Sequence, residues 1–310
     1  MSFSTVTVSA AVEKAGLRIP AQVIDQLVAS IDAGKHVILT GPPGTGKTTL
    51  SFLAAEVAQQ AMLCTGFLPT TATTEWTTFE TIGGFQPSSE GLLFRPGMFV
   101  EALESGRWLV IDELNRSNFD RAFGQLFTVL SGQSAVLPFK RAGRSEPVAL
   151  VPAGVEAPPE TDVIRVPASW RIIATMNVFD KNLLFEMSYA LMRRFAFVEV
   201  TSPDAHVFEE LLSSSHGVVS DLLLLRRFRD LGPAVYLDAA RFADRRARDD
   251  VSRSRLLYET FYSYFLPQLE GADDYEATSL YRTISPMLDE PELIEVRRTI
   301  ADVLGVELAL

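Results

Sequence analysis

Hydrophobic positions along this chain alternate between two spacings, and the changes mark its elements. From about Val8 to Asp32 apolar residues recur at helical intervals, ending at Ala33-Gly34. The short β-rich run His36-Val-Ile-Leu-Thr40 follows, then a cluster of glycines, then a second helical pattern from Thr48 to Ala61. Strand, loop and helix in that order predict the opening of a βαβ unit. Three further apolar runs read as strands: Trp108–Ile111, ending in two carboxylates; Trp170–Thr175, ending in Met176-Asn177; and Phe195–Val200. Continuous apolar strands alternating with helices predict an α/β fold, a parallel sheet covered on both faces.

The pattern breaks between Val136 and Val166. This stretch holds many of the prolines and a basic tip, Lys140-Arg141-Ala142-Gly143-Arg144, and predicts an inserted hairpin or long loop. After Pro203 the chain is helical and charge-rich to Leu310, without strand-like runs. The expected division is an α/β domain over residues 1–203, carrying the insertion at about 136–166, and a smaller all-helical domain over 204–310. A chain of 310 residues accommodates two such cores.

Composition narrows the setting. The single cysteine, Cys64, excludes a disulfide framework. The first eleven residues lack the basic-then-apolar order of a secretory signal, and the leucine run Leu222–Leu225 is cut off by Arg226 and Arg227, well short of a membrane span. A soluble cytoplasmic protein without membrane contact is expected. With 28 Lys and Arg against 39 Asp and Glu, the net charge of -11 gives no global field that attracts nucleic acid, although a local patch inside an assembly can still bind it.

Candidate chemistry begins with Gly41-Pro42-Pro43-Gly44-Thr45-Gly46-Lys47-Thr48, a P-loop, with Thr49 next to it as a further candidate nucleotide contact. Its glycines let backbone N–H groups turn inward around phosphate oxygens, and the following helix presents its positive end to them. Lys47 can reach the β- and γ-phosphates, and the Thr48 hydroxyl can ligate Mg²⁺. The strand at Trp108 delivers Asp112 to the carboxyl edge of the sheet, where it can hold the Mg²⁺ shell, and Glu113 beside it can polarise an attacking water. Taken alone, such a pair is a common acidic strand end; after a P-loop it argues for hydrolysis. Asn177, ending the third run, supplies an amide that can orient that water or read the γ-phosphate; a turn-forming Asn is the plainer account. Arg193 and Arg194 can act as a finger on a neighbouring subunit's nucleotide, against the plainer reading of an exposed basic helix end after Leu183–Met192.

In this order the P-loop, Asp112-Glu113-Leu-Asn115-Arg116, Met176-Asn177 and Leu191-Met-Arg193-Arg194-Phe195 resemble the AAA+ branch that contains MoxR, dynein-like and McrB-type ATPases. The McrB-type resemblance is the closer, covers about residues 20–250 and includes Phe123-Gly124-Gln125-Leu126. It implies a hexameric homo-oligomeric ring with nucleotide at subunit interfaces and a helical lid after the α/β domain. It also implies that Arg116 and the loop around Asp180 and Lys181 work across interfaces or signal to a partner, and that the basic-tipped insertion sits where such ATPases often place a hairpin facing the central pore. The chain departs from the pattern in three places. Only about forty residues precede the P-loop, where McrB-type proteins carry a DNA-recognition domain. Ala234 stands where a lid arginine is expected, with Arg241 as a substitute, and Val178 and Phe179 replace small residues in the loop Met176–Asn182. ATP is the expected nucleotide, with GTP, used by McrB proteins proper, as the alternative.

Two features stay open at this level. Trp76 and Phe85, between the first helix and the acidic strand, either grip a polymer or pack the sheet edge. Arg241, Arg245, Arg246 and Arg248, set among Asp244, Asp249 and Asp250, read as a solvated helix face rather than a nucleic-acid contact. The histidines His36, His206 and His216 show no metal-ligand spacing. The functional expectation is an ATPase, almost all motor, that powers or gates a separate effector or adaptor in a bacterial defence or restriction system. A MoxR-like chaperone acting on a protein client and a nucleotide-dependent scaffold with little turnover are the alternatives.

Overall fold

Four of the apolar runs and one further strand pair side by side in parallel in the computed structural model, which describes residues 2–88, 91–177, 192–215 and 217–309. They are β1 (His36–Gly41), β2 (Phe67–Thr71), β5 (Trp108–Asp112), β9 (Ile172–Asn177) and β10 (Phe195–Glu199), in the order β10-β1-β9-β5-β2. The expected parallel sheet with flanking helices is therefore present. Val37, Ile38 and Leu39 are wholly buried, as a central strand covered on both faces requires. β2 has no counterpart among the runs read from the sequence. Pro69 interrupts it and Thr70-Thr71 are polar, a composition tolerated because β2 lies at the sheet edge.

The helical pattern before β1 forms two helices, α1 (Thr5–Lys14) and α2 (Ala21–Asp32), separated where Gly16 takes φ +72° and Pro20 stops regular backbone pairing. α2 packs on β1 and β10, and α3 (Lys47–Gln60) lies across β1, β9, β5 and β2. The buried face of α3 is Leu50, Ala54, Ala55, Val57 and Ala58, where small side chains admit close approach to the sheet. α4 (Met98–Glu104) packs on β5.

Two smaller sheets decorate this core. β3 (Gly83–Ser88) and β4 (Gly91–Pro96) form an antiparallel hairpin. The insertion is more regular than the expected hairpin or loop. β6 (Ala135–Lys140) and β7 (Pro147–Pro152) are antiparallel, and β8 (Asp162–Val166) joins β7 in parallel. Its tip is not a free basic handle. Arg141 reaches Asp162 at 2.6 Å and Glu104 at 2.9 Å, Arg144 lies 3.4 Å from Asp162, and the Asp162 side chain is only 5% exposed. Trp76 is buried, which settles it as packing, whereas Phe85 is 45% exposed and meets the Phe139 ring edge-on.

The chain forms two compact units, Met1–Gly41 with Gly46–Val200, and Pro42–Thr45 with Thr201–Leu310. Among the described residues, the chain from Thr201 onward contains helices and no strand. The longer helices are α5 (Ala205–Leu212), α6 (Pro233–Arg246), α7 (Arg253–Thr260), α8 (Asp274–Ile284) and α9 (Glu292–Leu304). Tyr236 centres their core, 5.2 Å from the Phe208 ring and 5.0 Å from that of Phe265. The arginines of α6 are paired locally, Arg241 with Asp238, Arg245 with Asp249 and Arg246 with Glu259, as on a solvated helix face. No described helix is long and apolar enough to cross a membrane.

His36 is held in the α/β unit as a neutral spacer. Its ring lies between Trp170 and Phe195, and Nδ1 accepts the Ile172 N–H at 3.0 Å. Burial, reinforced by the charges of Arg171, Arg194 and Lys35, pushes its pKa down to about 3. Because the unfolded chain protonates this imidazole more readily, stability is complete above the unfolded pKa of 6.5 and is lost as pH falls below it. Chemical denaturation should show a loss of about 1 kcal/mol between pH 7.5 and 5.5. A His36→Asn variant should lack that component of the pH dependence.

Candidate nucleotide site

β1 ends at Gly41, whose φ of +146° and close approach to the end of β10 exclude a side chain: a Cβ there would lie 2.3 Å from the Val200 carbonyl oxygen. The chain then turns through residues 42–45, with the Thr45 hydroxyl donating to the Pro42 carbonyl at 3.0 Å, and Gly46 at φ +86° caps α3. The first N–H groups of α3 have no carbonyl partner within the helix, as at any helix N-terminus, the end that favours anions. Lys47 is only 6% exposed, and its Nζ donates to the Gly41 carbonyl at 2.9 Å. Burial lowers its pKa to about 8, against the opposing pull of Asp112 and Glu113. Thr49, one residue beyond the loop, is exposed. Residues 42–45 belong to the second compact unit. Inside it the Gly232 N–H donates to the Pro43 carbonyl at 2.9 Å and the Ala234 N–H to the Gly44 carbonyl at 3.1 Å. Ala234 thus meets the loop through its main chain, and Arg241 is paired with Asp238.

The parallel register brings the other candidates to the same edge. Asn177 pairs with Gly41, directly beside the start of the loop. Asp112 ends β5, and its Oδ1 accepts the Thr48 hydroxyl at 2.7 Å. A hydroxyl and a carboxylate are the hard oxygen donors that Mg²⁺ prefers, so the pair Thr48 and Asp112 fits that ion. Among the described residues no group of three or more His, Cys, Asp and Glu side chains could hold a metal alone, so phosphate and water oxygens would complete its shell. Glu113 adopts the left-handed conformation, φ +52°, and its carboxylate forms an ion pair with Arg116.

One participant escaped the sequence reading. Thr175, 2% exposed, donates to Asp112 Oδ1 at 2.5 Å and accepts the Glu113 N–H at 3.0 Å. Its only signal in the sequence was a hydroxyl in the otherwise apolar run Ile172–Met176.

Arg193 and Arg194 lie elsewhere. They precede β10, and His36 pairs with Phe195, so they sit at the edge of the sheet opposite the loop that leaves β1 at Gly41. Five residues of strand separate those edges, about 16 Å at the usual rise. The two arginines also differ from each other. Arg194 is half-buried and donates to the Ser131 carbonyl at 3.4 Å, whereas the Arg193 side chain is exposed. The loop Val178–Asn182, with Asp180 and Lys181, and the helix expected from Leu183 as far as Leu191 fall outside the described residues, as does His216.

A family model described as an AAA domain of the dynein-related subfamily matches residues 36–195. The "Type IV methyl-directed restriction enzyme EcoKMcrB subunit" of Escherichia coli (strain K12) is 27% identical over 200 residues, covering 59% of this chain and 39% of that protein. An uncharacterized protein of Staphylococcus aureus (strain COL) is 25% identical over 190 residues, covering 61% of this chain and 64% of that protein. The chain therefore spans less than two thirds of either relative. Among solved structures, that of NtrX from Brucella abortus in complex with ADP covers 90% of this chain and 71% of its own at 17% identity, with a TM-score of 0.41 that is too low to build on.

The lowered pKa of Lys47 makes anion binding sensitive to pH. The ammonium is charged below about 8, so affinity for adenine nucleotide should be highest there and fall as pH rises above it, by at most about tenfold per unit. Titration with a fluorescent ADP analogue from pH 7 to 9.5 measures this. Lys47→Ala should bind weakly throughout and without the slope.

Proposed function

The chain belongs to the dynein-related subfamily of AAA domains, and from that membership and the site geometry we propose that it is an ATPase whose active site is completed between two copies of itself. The observation that carries the reading is the placement of the arginines. Arg193 and Arg194 lie about 16 Å of strand away from the loop of their own subunit, which favours a role on a nucleotide held by a neighbour. Of the two, Arg193 is the finger, because its exposed side chain is available while Arg194 is tied to Ser131.

In this reading the P-loop and Lys47 would hold the triphosphate, and Thr48 and Asp112 would hold Mg²⁺, which would neutralise phosphate charge. Glu113 takes a proton from the attacking water and Asn177 orients that water. The pair with Arg116 engages the Glu113 carboxylate in the isolated chain and has to open before Glu113 can act as a base. A neighbour that engages Arg116 would open it, which couples turnover to assembly. A hexameric ring that powers or gates a separate effector is the form we favour. The likeness to a restriction-enzyme subunit points to a defence role, by analogy. The tied arginines of the insertion tip give nucleic acid little to hold directly, so it would be met through the partner or a pore.

ATP turnover per subunit should rise steeply between nanomolar and micromolar protein. Arg193→Ala should lower it by about 10³-fold or more, with Arg194→Ala less severe. Glu113→Gln should bind ATP and hydrolyse it at least about a hundredfold more slowly. Mixing these Arg193→Ala and Glu113→Gln subunits should restore activity, since one supplies the finger and the other the base. A per-subunit rate that is flat in concentration, with no recovery on mixing, would refute the shared site. Glu113→Gln, tagged and isolated from its host with ATP, should carry the partner. A nuclease or toxic effector supports the defence role, and an unfolded or maturing client supports a chaperone instead.

A further inference from the structure

A buried hydroxyl needs partners, because leaving one unpaired in the interior costs about 1–3 kcal/mol. Thr175 is buried in the midst of β9, yet it spends its donor on Asp112, the last residue of β5, and its acceptor on Glu113, the first residue of the turn that follows. The reason lies in the ladder. The register between β5 and β9 ends at Ile111 and Ala174, so the next step along β5, where the chain passes from Asp112 into the turn at Glu113, has no further β9 pair to follow. The Thr175 Oγ1 takes the place of a ladder acceptor for the Glu113 N–H at 3.0 Å, while its own proton goes to Asp112 Oδ1 at 2.5 Å.

Two consequences meet at that one atom. Asp112 Oδ1 already accepts the Thr48 hydroxyl, so with Thr175 it is held from two sides and its rotation is restricted. Glu113 occupies the left-handed region at φ +52° and ψ +48°, which costs a residue with a Cβ about 1 kcal/mol and persists only where neighbours impose it. The bond to Thr175 fixes the amide of that turn and hence the direction in which the Glu113 side chain departs. A valine would fill the same volume and do neither.

We propose that Thr175 is a positioning residue that locks the Mg²⁺-binding carboxylate of Asp112 and the base Glu113 to each other through a single hydroxyl. The inference rests on the hydrolytic reading of the site. It separates the two steps of the reaction. Losing the hydroxyl should leave nucleotide in the P-loop and weaken the metal's contribution and the placement of the base.

The test compares Thr175→Val, which keeps the shape, with Thr175→Ser, which keeps the hydroxyl. Binding of a fluorescent ADP analogue is measured with EDTA and across a Mg²⁺ titration, alongside steady-state ATP turnover and thermal unfolding. For Thr175→Val, binding in EDTA should match wild type. The Mg²⁺ concentration for half-maximal effect should rise about tenfold, and kcat should fall about 10- to 100-fold with KM for ATP nearly unchanged. Thr175→Ser should restore the Mg²⁺ response and most of kcat. Should the valine variant not fold, Thr175→Ala carries the same comparison. Valine and serine variants that are equally impaired, or a valine variant with the wild-type Mg²⁺ response, would overturn the proposal and leave the hydrolytic reading standing. Wild-type protein that binds no nucleotide at any Mg²⁺ concentration would overturn that reading, and this inference with it.

Discussion

Parallel pairing obliges the strands of the central sheet to end at one edge, and the site follows from that obligation. β1 can release the phosphate loop where β9 offers Asn177 only because Gly41 and Asn177 are register partners. β5 ends in Asp112 beside them for the same reason, since it pairs with β9 in the same sense. An antiparallel neighbour would carry its last residues to the far edge and leave the loop without a carboxylate. The helices make the arrangement affordable, covering strands such as Val37–Leu39 that would otherwise expose an apolar surface to water.

Burial then sets the chemistry of what is gathered there. Lys47 is withdrawn from solvent far enough that its proton becomes labile near pH 8, although two carboxylates stand nearby. Desolvation outweighs their attraction, so the loop holds its cation at a cost that a bound polyanion would relieve. His36, in the same sheet, shows the opposite solution: with no anion to gain, it remains neutral and spends a lone pair on the Ile172 N–H.

What could be read from the sequence was the chemistry that is local along the chain. The P-loop announces itself because its glycines, lysine and threonine are consecutive, and Asp112-Glu113 because an apolar run leads directly into it. The parallel α/β sheet and the AAA resemblance held for the same reason, as each element carries its own period. What stayed hidden depends on pairings between distant segments. Thr175 is an ordinary strand residue until β9 is laid against β5, 63 residues away from its partner Asp112. The arginines of the insertion tip looked available until Asp162, on a third strand the sequence did not suggest, took them both. β2 was illegible because edge position, which no local pattern encodes, is what excuses its proline.

β10 joins two of these places more directly than any side chain does. One end of it carries Arg193 and Arg194; at the other, the carbonyl of Val200 presses on Gly41 so closely that no Cβ fits between them, while its N–H is fastened to Thr40 at 2.7 Å. Between those ends the strand is hydrogen-bonded to β1 and cannot slip by less than a change of register. It is in effect a connecting rod, inextensible and guided along its length. The arginine end and the first residue of the loop are thus the two ends of one hydrogen-bonded strand, with no side chain needed to link them.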